Sequence, residues 1–179
     1  MRNLKVVDFK YDFIDQAVEL DKKWFGEYGA NEDDFKMIFA TENRKAIALV
    51  DAKVLKGFAV FDILESGREV QDYKGLTTTV KTAFIQQFTT TTNYKLNSWE
   101  HDTTLLMALE KSAEDLHCLC VWEALSKDHP FASENNPGYD AYGFYENQGY
   151  SISIGHSISW REMVPCNLLS KNLKIRCRT

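Results

Sequence analysis

The fold is decided by the stretch Ala141-Tyr142-Gly143-Phe144-Tyr145-Glu146-Asn147-Gln148-Gly149-Tyr150. An aromatic pair lies in a short helical segment, the chain breaks at Gly149, and another aromatic residue opens the next segment. Glycine is favoured at a helix end because it adopts positive φ without a Cβ clash. The stretch therefore predicts a short helix, a glycine break and a buried strand in succession.

These residues resemble the A-x-x-F-Y-E-x-x-G-F/Y signature near the C-terminus of GNAT-superfamily acyltransferases. The resemblance implies an N-acyltransferase that moves an acetyl or other acyl group from acetyl-CoA to an amine. It also implies that Tyr145 protonates the leaving thiolate of coenzyme A. A tyrosine hydroxyl with an ordinary pKa of about 10 is protonated at neutral pH and can donate. The alternative is that Tyr145 only packs between helix and sheet, and Tyr142, one turn earlier, is a second candidate for the acid.

The order of predicted elements agrees with that resemblance along nearly the whole chain. Strands are predicted over residues 4–9, 46–50, 54–63, 80–92, 118–124, 150–160 and 173–177. Helices are predicted after Asp12 and Asn31 and over residues 103–116, followed by the motif helix. This order predicts an α/β protein with three layers, α/β/α, and the resemblance implies a central mixed, mostly antiparallel sheet. We expect one GNAT-like acyltransferase domain over residues 1–179.

Composition excludes several classes of protein. The chain has 179 residues, 44% of them hydrophobic, and a net charge of −5, which argues against nucleic-acid or membrane-surface binding. No apolar run approaches the roughly 20 residues of a membrane helix, and no signal peptide is visible, so we expect a cytoplasmic protein. Cys118 and Cys120 are too close for a zinc knuckle, and we expect no metal site. In a strand both would lie on one face, as small buried side chains.

The hallmark that the resemblance leads us to expect before the 103–116 helix is degenerate. GNAT enzymes have an R/Q-x-x-G-x-G/A turn there, whose backbone N–H groups bind the pyrophosphate. The corresponding residues here, Asn97–Asp102, include no glycine and no arginine. Glu100 and Asp102 would oppose a diphosphate by more than the about 0.3–1 kcal/mol that the helix dipole offers. Asp102 could instead be the N-cap of the helix.

If acetyl-CoA binds, the resemblance indicates two groups of cofactor-binding residues. Backbone edges of the 80–92 strand would hold the pantetheine arm, and a backbone N–H near Phe88, Thr89 or Thr90 would polarise the thioester carbonyl. At the helix start the candidate contacts are Ser98, Thr103 and Thr104.

A general base for the amine is less sharply indicated. Glu123 is predicted at the end of the 118–124 strand, where desolvation would raise its pKa toward a useful range. Asp62 is another choice, and each also fits an ordinary strand-end carboxylate. The acceptor would be a small-molecule or peptide amine, and a C-terminal edge strand would permit a homodimer. The alternative function is a catalytically inactive GNAT-like fold that acts as a binding or regulatory module.

Overall fold

The structure is a computed structural model of the chain, and it describes residues 3–91, 99–126, 141–161 and 164–174. The strands are β1 Leu4–Asp8, β2 Arg44–Asp51, β3 Val54–Leu64, β4 Tyr73–Lys74, β5 Thr82–Thr90, β6 Cys120–Ser126, β7 Ser151–Trp160 and β8 Val164–Asn172. The helices are α1 Ile14–Phe25, α2 Glu32–Ala40, α3 Glu100–Asp115 and α4 Ala141–Asn147. In the described residues, no helix is both long and apolar enough to cross a membrane.

The strands form one sheet in the order β1-β2-β3-β5-β6-β8-β7-β4. β5 and β6 run parallel, with Thr82 opposite Cys120. Parallel neighbours need a long crossover, and α3 lies in the chain between them. The pairs β1–β2, β6–β8, β7–β8 and β4–β7 are antiparallel. The predicted fold class is therefore confirmed: an α/β protein with a mixed, mostly antiparallel sheet.

Several predicted elements differ from the observed ones. Among the described residues the last strand is β8, Val164–Asn172, which pairs with β6 and β7 and was not predicted. Residues 175–177 of the predicted 173–177 strand lie outside the described residues. β8 lies inside the sheet, whose edges in the described part of the chain are β1 and the two-residue β4. The expected C-terminal edge strand stays a prediction. α3 begins at Glu100, three residues before the predicted start. The prediction that Asp102 is its N-cap is therefore wrong as well.

The chain divides into two compact units. The first comprises Met1–Phe61, Gln86–Leu109 and Pro130–Asp140, and the second comprises Asp62–Ile85, Glu110–His129 and Ala141–Thr179. The prediction that residues 1–179 form a single domain stays a prediction.

The core of the first unit is built on aromatic side chains. Phe9, Phe35 and Phe58 are 5%, 1% and 0% exposed, and their ring centroids lie 5.2 to 6.0 Å apart. One pair is stacked and two are edge to face, and aromatic pairs at this spacing stabilise a core beyond the area that they bury. Helix α2, which contributes Phe35 to this core, begins with a capping box. The Asn31 side chain accepts hydrogen bonds from the backbone N–H groups of Asp33 and Asp34. The predicted cap at Asn31 is confirmed.

The core of the second unit lies on one face of β6. Cys120, Trp122 and Ala124 alternate along the strand and pack with Phe84 and Leu168. Cys118 precedes β6, so the prediction that both cysteines point to one face of a strand is wrong. Both are nevertheless buried and carry free thiols, and burial is the main cause that raises the pKa of Cys118 to about 11.

Candidate functional site

The aromatic motif ends helix α4 in a Schellman turn. The Tyr150 N–H donates to the Tyr145 carbonyl at 3.0 Å, and the Gly149 N–H donates to the Glu146 carbonyl at 2.9 Å. Gly149 has a φ of +85°, the left-handed conformation that this turn requires. The Tyr145 and Tyr150 rings meet edge to face at 5.1 Å, which is the apolar contact typical of such a turn. The spacing of the motif is thus the spacing of a helix cap.

Tyr145 and Glu123, the two predicted catalytic residues, lie together in the second unit. The Tyr145 hydroxyl donates to Glu123 Oε2 at 3.4 Å. The side chains are 3% and 8% exposed. Glu123 is the fourth of seven residues in β6, so its predicted place at the strand end is wrong. An interior position buries the carboxyl more fully than a strand end would, which bears directly on its protonation.

Burial sets the protonation of Glu123. Desolvation raises its pKa well above the ordinary value, and the hydrogen bond from Tyr145 opposes this only in part. A carboxyl with a raised pKa beside a tyrosine hydroxyl forms a donor–acceptor pair through which one proton can move. Raised pKa values in pairs of this kind are typical of catalytic sites.

The two other tyrosines of the motif differ from Tyr145 in how their hydroxyls are bonded. The Tyr142 hydroxyl donates to the Leu125 carbonyl at 3.2 Å and accepts from Asn167 Nδ2 at 3.2 Å. The Tyr150 hydroxyl is buried near the Glu110 carboxylate. Tyr145 bonds the buried Glu123 carboxyl, whereas the Tyr142 hydroxyl bonds a backbone carbonyl and an amide, which favours Tyr145 over Tyr142 as the acid.

An ion pair lies beside Tyr150. Lys171 Nζ is 2.8 Å from both oxygens of Glu110, and it lies 5.6 Å from the centre of the Tyr150 ring. Burial raises the pKa of Tyr150 well above its ordinary value, and the Glu110 carboxylate raises it further. This hydroxyl therefore stays protonated at neutral pH.

The end of β5, the strand predicted to bind the cofactor, is held by contacts within the first unit. Thr89 and Thr90 are buried, and Phe88 is half-buried. The Thr89 hydroxyl donates to Asp21 Oδ1 at 3.2 Å, and the Thr90 hydroxyl donates to Asp102 Oδ1 at 3.0 Å. The side chains of both threonines are thus engaged within the chain, so only their backbone groups could contact a ligand.

Asp21 is the centre of a network that the sequence analysis missed. It is 2% exposed and also accepts from the Ala30 N–H at 2.6 Å and from Gln87 Nε2 at 2.8 Å. Burial raises the pKa of its carboxyl, and the hydrogen bonds from Ala30, Gln87 and Thr89 lower it in part. The position of Asp21 is the sequence signal that could have indicated this network. Asp21 lies between Leu20 and Trp24 on the buried stripe of α1, where an acid needs hydrogen-bond partners.

A glycine lets β3 approach this part of β5. A Cβ at Gly57 would lie 2.9 Å from the Thr89 carbonyl oxygen and 2.9 Å from Thr90 Cγ2. In addition, the Thr90 carbonyl accepts from Trp24 Nε1 at 2.8 Å. The end of β5 is therefore fixed by contacts on its backbone as well as on its side chains.

The predicted helix-start contacts fall in the first turn of α3. The Thr103 N–H donates to the Trp99 carbonyl at 2.8 Å, and the Thr104 hydroxyl donates to the Glu100 carbonyl at 2.7 Å. Ser98 lies outside the described residues. The roles of all three in cofactor binding stay predictions.

A shallow, open cavity of about 440 Å³ lies in the second unit. It is lined by residues 69–74 and Arg161. Residues 73–74 form β4, a strand that pairs with β7 and that the sequence analysis did not predict. Among the described residues, no group of three His, Cys, Asp or Glu side chains is arranged to hold a metal ion.

Comparisons with known proteins were made on sequence and on structure. No family model and no curated protein matches the sequence. Solved structures do match along nearly the whole chain. The ribosomal-protein-S18-alanine N-acetyltransferase from Escherichia coli is 11% identical with a TM-score of 0.61, and the match covers 98% of this chain and 97% of that one. The aminoglycoside 6'-N-acetyltransferase from Enterococcus faecium is 17% identical with a TM-score of 0.65, over 96% and 98% of the two chains.

A third match was solved with a ligand. The PaiA N-acetyltransferase from Thermoplasma acidophilum, in complex with coenzyme A, is 10% identical with a TM-score of 0.62, over 95% of this chain and 99% of that one. Identities this low show the fold alone. The chain has the fold of the GNAT acetyltransferases, which confirms the resemblance drawn from the motif.

We expect Gly149→Ala to lower the free energy of unfolding by about 1 kcal/mol, since an alanine at this φ is strained. Space does not limit the substitution, because the nearest atom to a Cβ is Lys171 Cε at 3.9 Å. Gly149→Asn is the matched control and should lose less, because asparagine tolerates the left-handed region. Equal losses, measured by urea denaturation, would contradict the Schellman explanation.

We expect Glu123→Gln to gain stability relative to the wild type as pH rises. The folded protein holds the Glu123 proton more tightly than the unfolded chain, whose glutamate has a pKa of about 4.3. The wild type therefore loses stability from about pH 4.3 up to the raised folded pKa, at about 1.4 kcal/mol for each unit of the shift. The glutamine variant lacks this loss.

The measurement is urea denaturation of the wild type and the variant between about pH 4 and about pH 8. Glu146→Gln, which replaces an exposed carboxyl of α4, is the control and should follow the wild-type pH dependence. A difference between Glu123→Gln and wild type that does not vary with pH would show that folding does not raise the pKa of Glu123.

Proposed function

We propose that this protein is an N-acyltransferase that moves an acetyl group from acetyl-CoA to the amine of a small molecule or peptide. The GNAT-like fold supports acyl transfer to an amine as the reaction class. Within that fold, the observation that supports catalysis most directly is the hydrogen bond from Tyr145 to the buried Glu123. Solved structures of the same fold include proteins that hold coenzyme A, and this supports the donor.

In the proposed reaction, the amine nitrogen attacks the thioester carbonyl carbon, so that a C–N bond forms and the C–S bond breaks. Glu123, in its ionised form, takes the proton that leaves the amine. Tyr145 gives its hydroxyl proton to the departing sulfur, which leaves as a thiol. Glu123 then returns its proton to Tyr145 along their hydrogen bond, and the site is restored without net change of charge.

The raised pKa of Glu123 suits this role. A carboxylate with an ordinary pKa is too weak a base to take a proton from an amine adduct, and desolvation makes it stronger. Because burial raises the pKa of Glu123, activity should rise with pH over the range in which this carboxyl ionises.

The end of β5 lies in the first unit, where Asp21 and Asp102 engage the side chains of Thr89 and Thr90. A role of Phe88, Thr89 and Thr90 in binding the donor stays a prediction.

The first test is isothermal titration of the protein with acetyl-CoA. We expect a dissociation constant in the micromolar range, about −8 kcal/mol, and release of free thiol when an amine acceptor is added. The alternative, an inactive module that binds or regulates, would give no heat and no thermal shift with acetyl-CoA at millimolar concentration.

The second test is Tyr145→Phe. We expect turnover to fall by about 10²–10⁴-fold, the usual contribution of a positioned acid, with little change in acetyl-CoA affinity. Tyr142→Phe, one turn earlier in α4, is the matched control and should keep its turnover, because its hydroxyl bonds Leu125 and Asn167 instead. Unchanged turnover in Tyr145→Phe would remove Tyr145 from the mechanism.

A further inference from the structure

The first turn of α3 carries two carboxylates, one of which is fixed in the interior. Glu100 is exposed, whereas Asp102 is 3% exposed and accepts the hydrogen bond from the Thr90 hydroxyl. A helix of 16 residues has a positive end that attracts an anion within its first turn. In this chain two acids of its own already lie at that end.

The hydrogen-bonding groups that follow them are in use. The Thr103 N–H closes the first turn onto Trp99, and the Thr104 hydroxyl bonds the Glu100 carbonyl. A diphosphate at a helix start requires free N–H groups and the absence of like charge. The Thr103 N–H is therefore not free for a diphosphate, and the acids Glu100 and Asp102 place like charge beside the N–H groups that precede it.

The hydrogen-bonding groups of Thr91, which directly follows β5, are also in use. The Thr91 N–H donates to the Lys56 carbonyl at 2.7 Å, and the Thr91 hydroxyl contacts that carbonyl at 3.1 Å. The His101 ring lies 3.1 Å from the same hydroxyl, through Nδ1. His101, the basic residue in the first turn of α3, is therefore already engaged by a group of the chain itself.

We propose that this protein recognises its acyl donor through the thioester and the pantetheine arm, and that the start of α3 does not bind the diphosphate of coenzyme A. The inference rests on the proposed acyl transfer and narrows its donor class to acyl-pantetheine thioesters, of which acetyl-CoA is one member. Contacts to parts of a substrate far from the reacting bond normally contribute to rate as well as affinity. Without contacts to the diphosphate, S-acetylpantetheine should serve nearly as well as acetyl-CoA.

The experiment compares S-acetylpantetheine with acetyl-CoA on the wild-type protein by isothermal titration. We expect dissociation constants within about tenfold of each other. We also expect acetyl-CoA affinity to hold when the ionic strength is raised about fivefold, since no phosphate contact is there to be screened. An acetyl-CoA affinity more than about tenfold tighter, lost at high salt, would overturn the inference while leaving the acyl transfer intact. If neither thioester binds, the proposed function itself fails.

A variant tests the exposed acid directly. Glu100→Gln removes a charge from the first turn of α3 without touching the contacts that hold β5. It should leave the affinities for acetyl-CoA and for S-acetylpantetheine each within about twofold of the wild type, because no phosphate lies against it. A change of more than about fivefold in acetyl-CoA affinity alone would overturn the inference.

Discussion

The end of β5 is held by two buried carboxylates, and much of the first unit is arranged around them. Asp21 on α1 and Asp102 on α3 each accept a hydroxyl hydrogen bond, from Thr89 and Thr90. A buried carboxylate is costly unless it is fully bonded, so the partners of each acid are fixed once the acid is in place. Asp21 thereby connects α1, the Ala30 backbone and β5. It also fixes the orientation of the Gln87 side chain, which donates to the same carboxylate.

Glu123, one of the buried acids of the second unit, is bonded in a different way. Asp21 is given three donors that oppose its desolvation, whereas among the causes that set the pKa of Glu123 the only one opposing burial is its hydrogen bond from Tyr145. A well-bonded acid is a structural anchor, because its charge is already stabilised. A sparsely bonded acid changes protonation more readily when its surroundings change. This contrast is the physical reason to look for chemistry at Glu123 and for architecture at Asp21.

Local patterns in the sequence predict those elements that local interactions determine. The capping box at Asn31 and the glycine break at Gly149 follow from residues within one turn of each other, and both are confirmed. The start of α3 was misplaced and β8 was not predicted, because both are set by distant partners. Asp102 lies within the helix and accepts a hydrogen bond from Thr90, and the bounds of β8 follow from its pairing with β6 and β7. Sequence spacing alone does not contain such pairings.

The candidate site shows the same division between local and distant effects. Tyr145 could be identified from its motif, but its partner could only be placed on a predicted strand, and its depth in that strand was wrong. Asp21 was overlooked because its donors come from residues 9, 66 and 68 positions further along the chain. Polar residues on the buried stripe of a helix are the one sequence signal that points to such networks.

The motif that decides the fold also separates into two parts with different physical roles. Gly149 and the Tyr145–Tyr150 ring contact are required by the Schellman turn, whatever the protein does. A chain that had lost its activity would keep them, since losing them would unfold the end of α4. The Tyr145 hydroxyl is different, because the turn uses the ring and the backbone but not the oxygen. Its hydrogen bond to Glu123 is therefore the part of the motif whose retention the fold does not by itself explain.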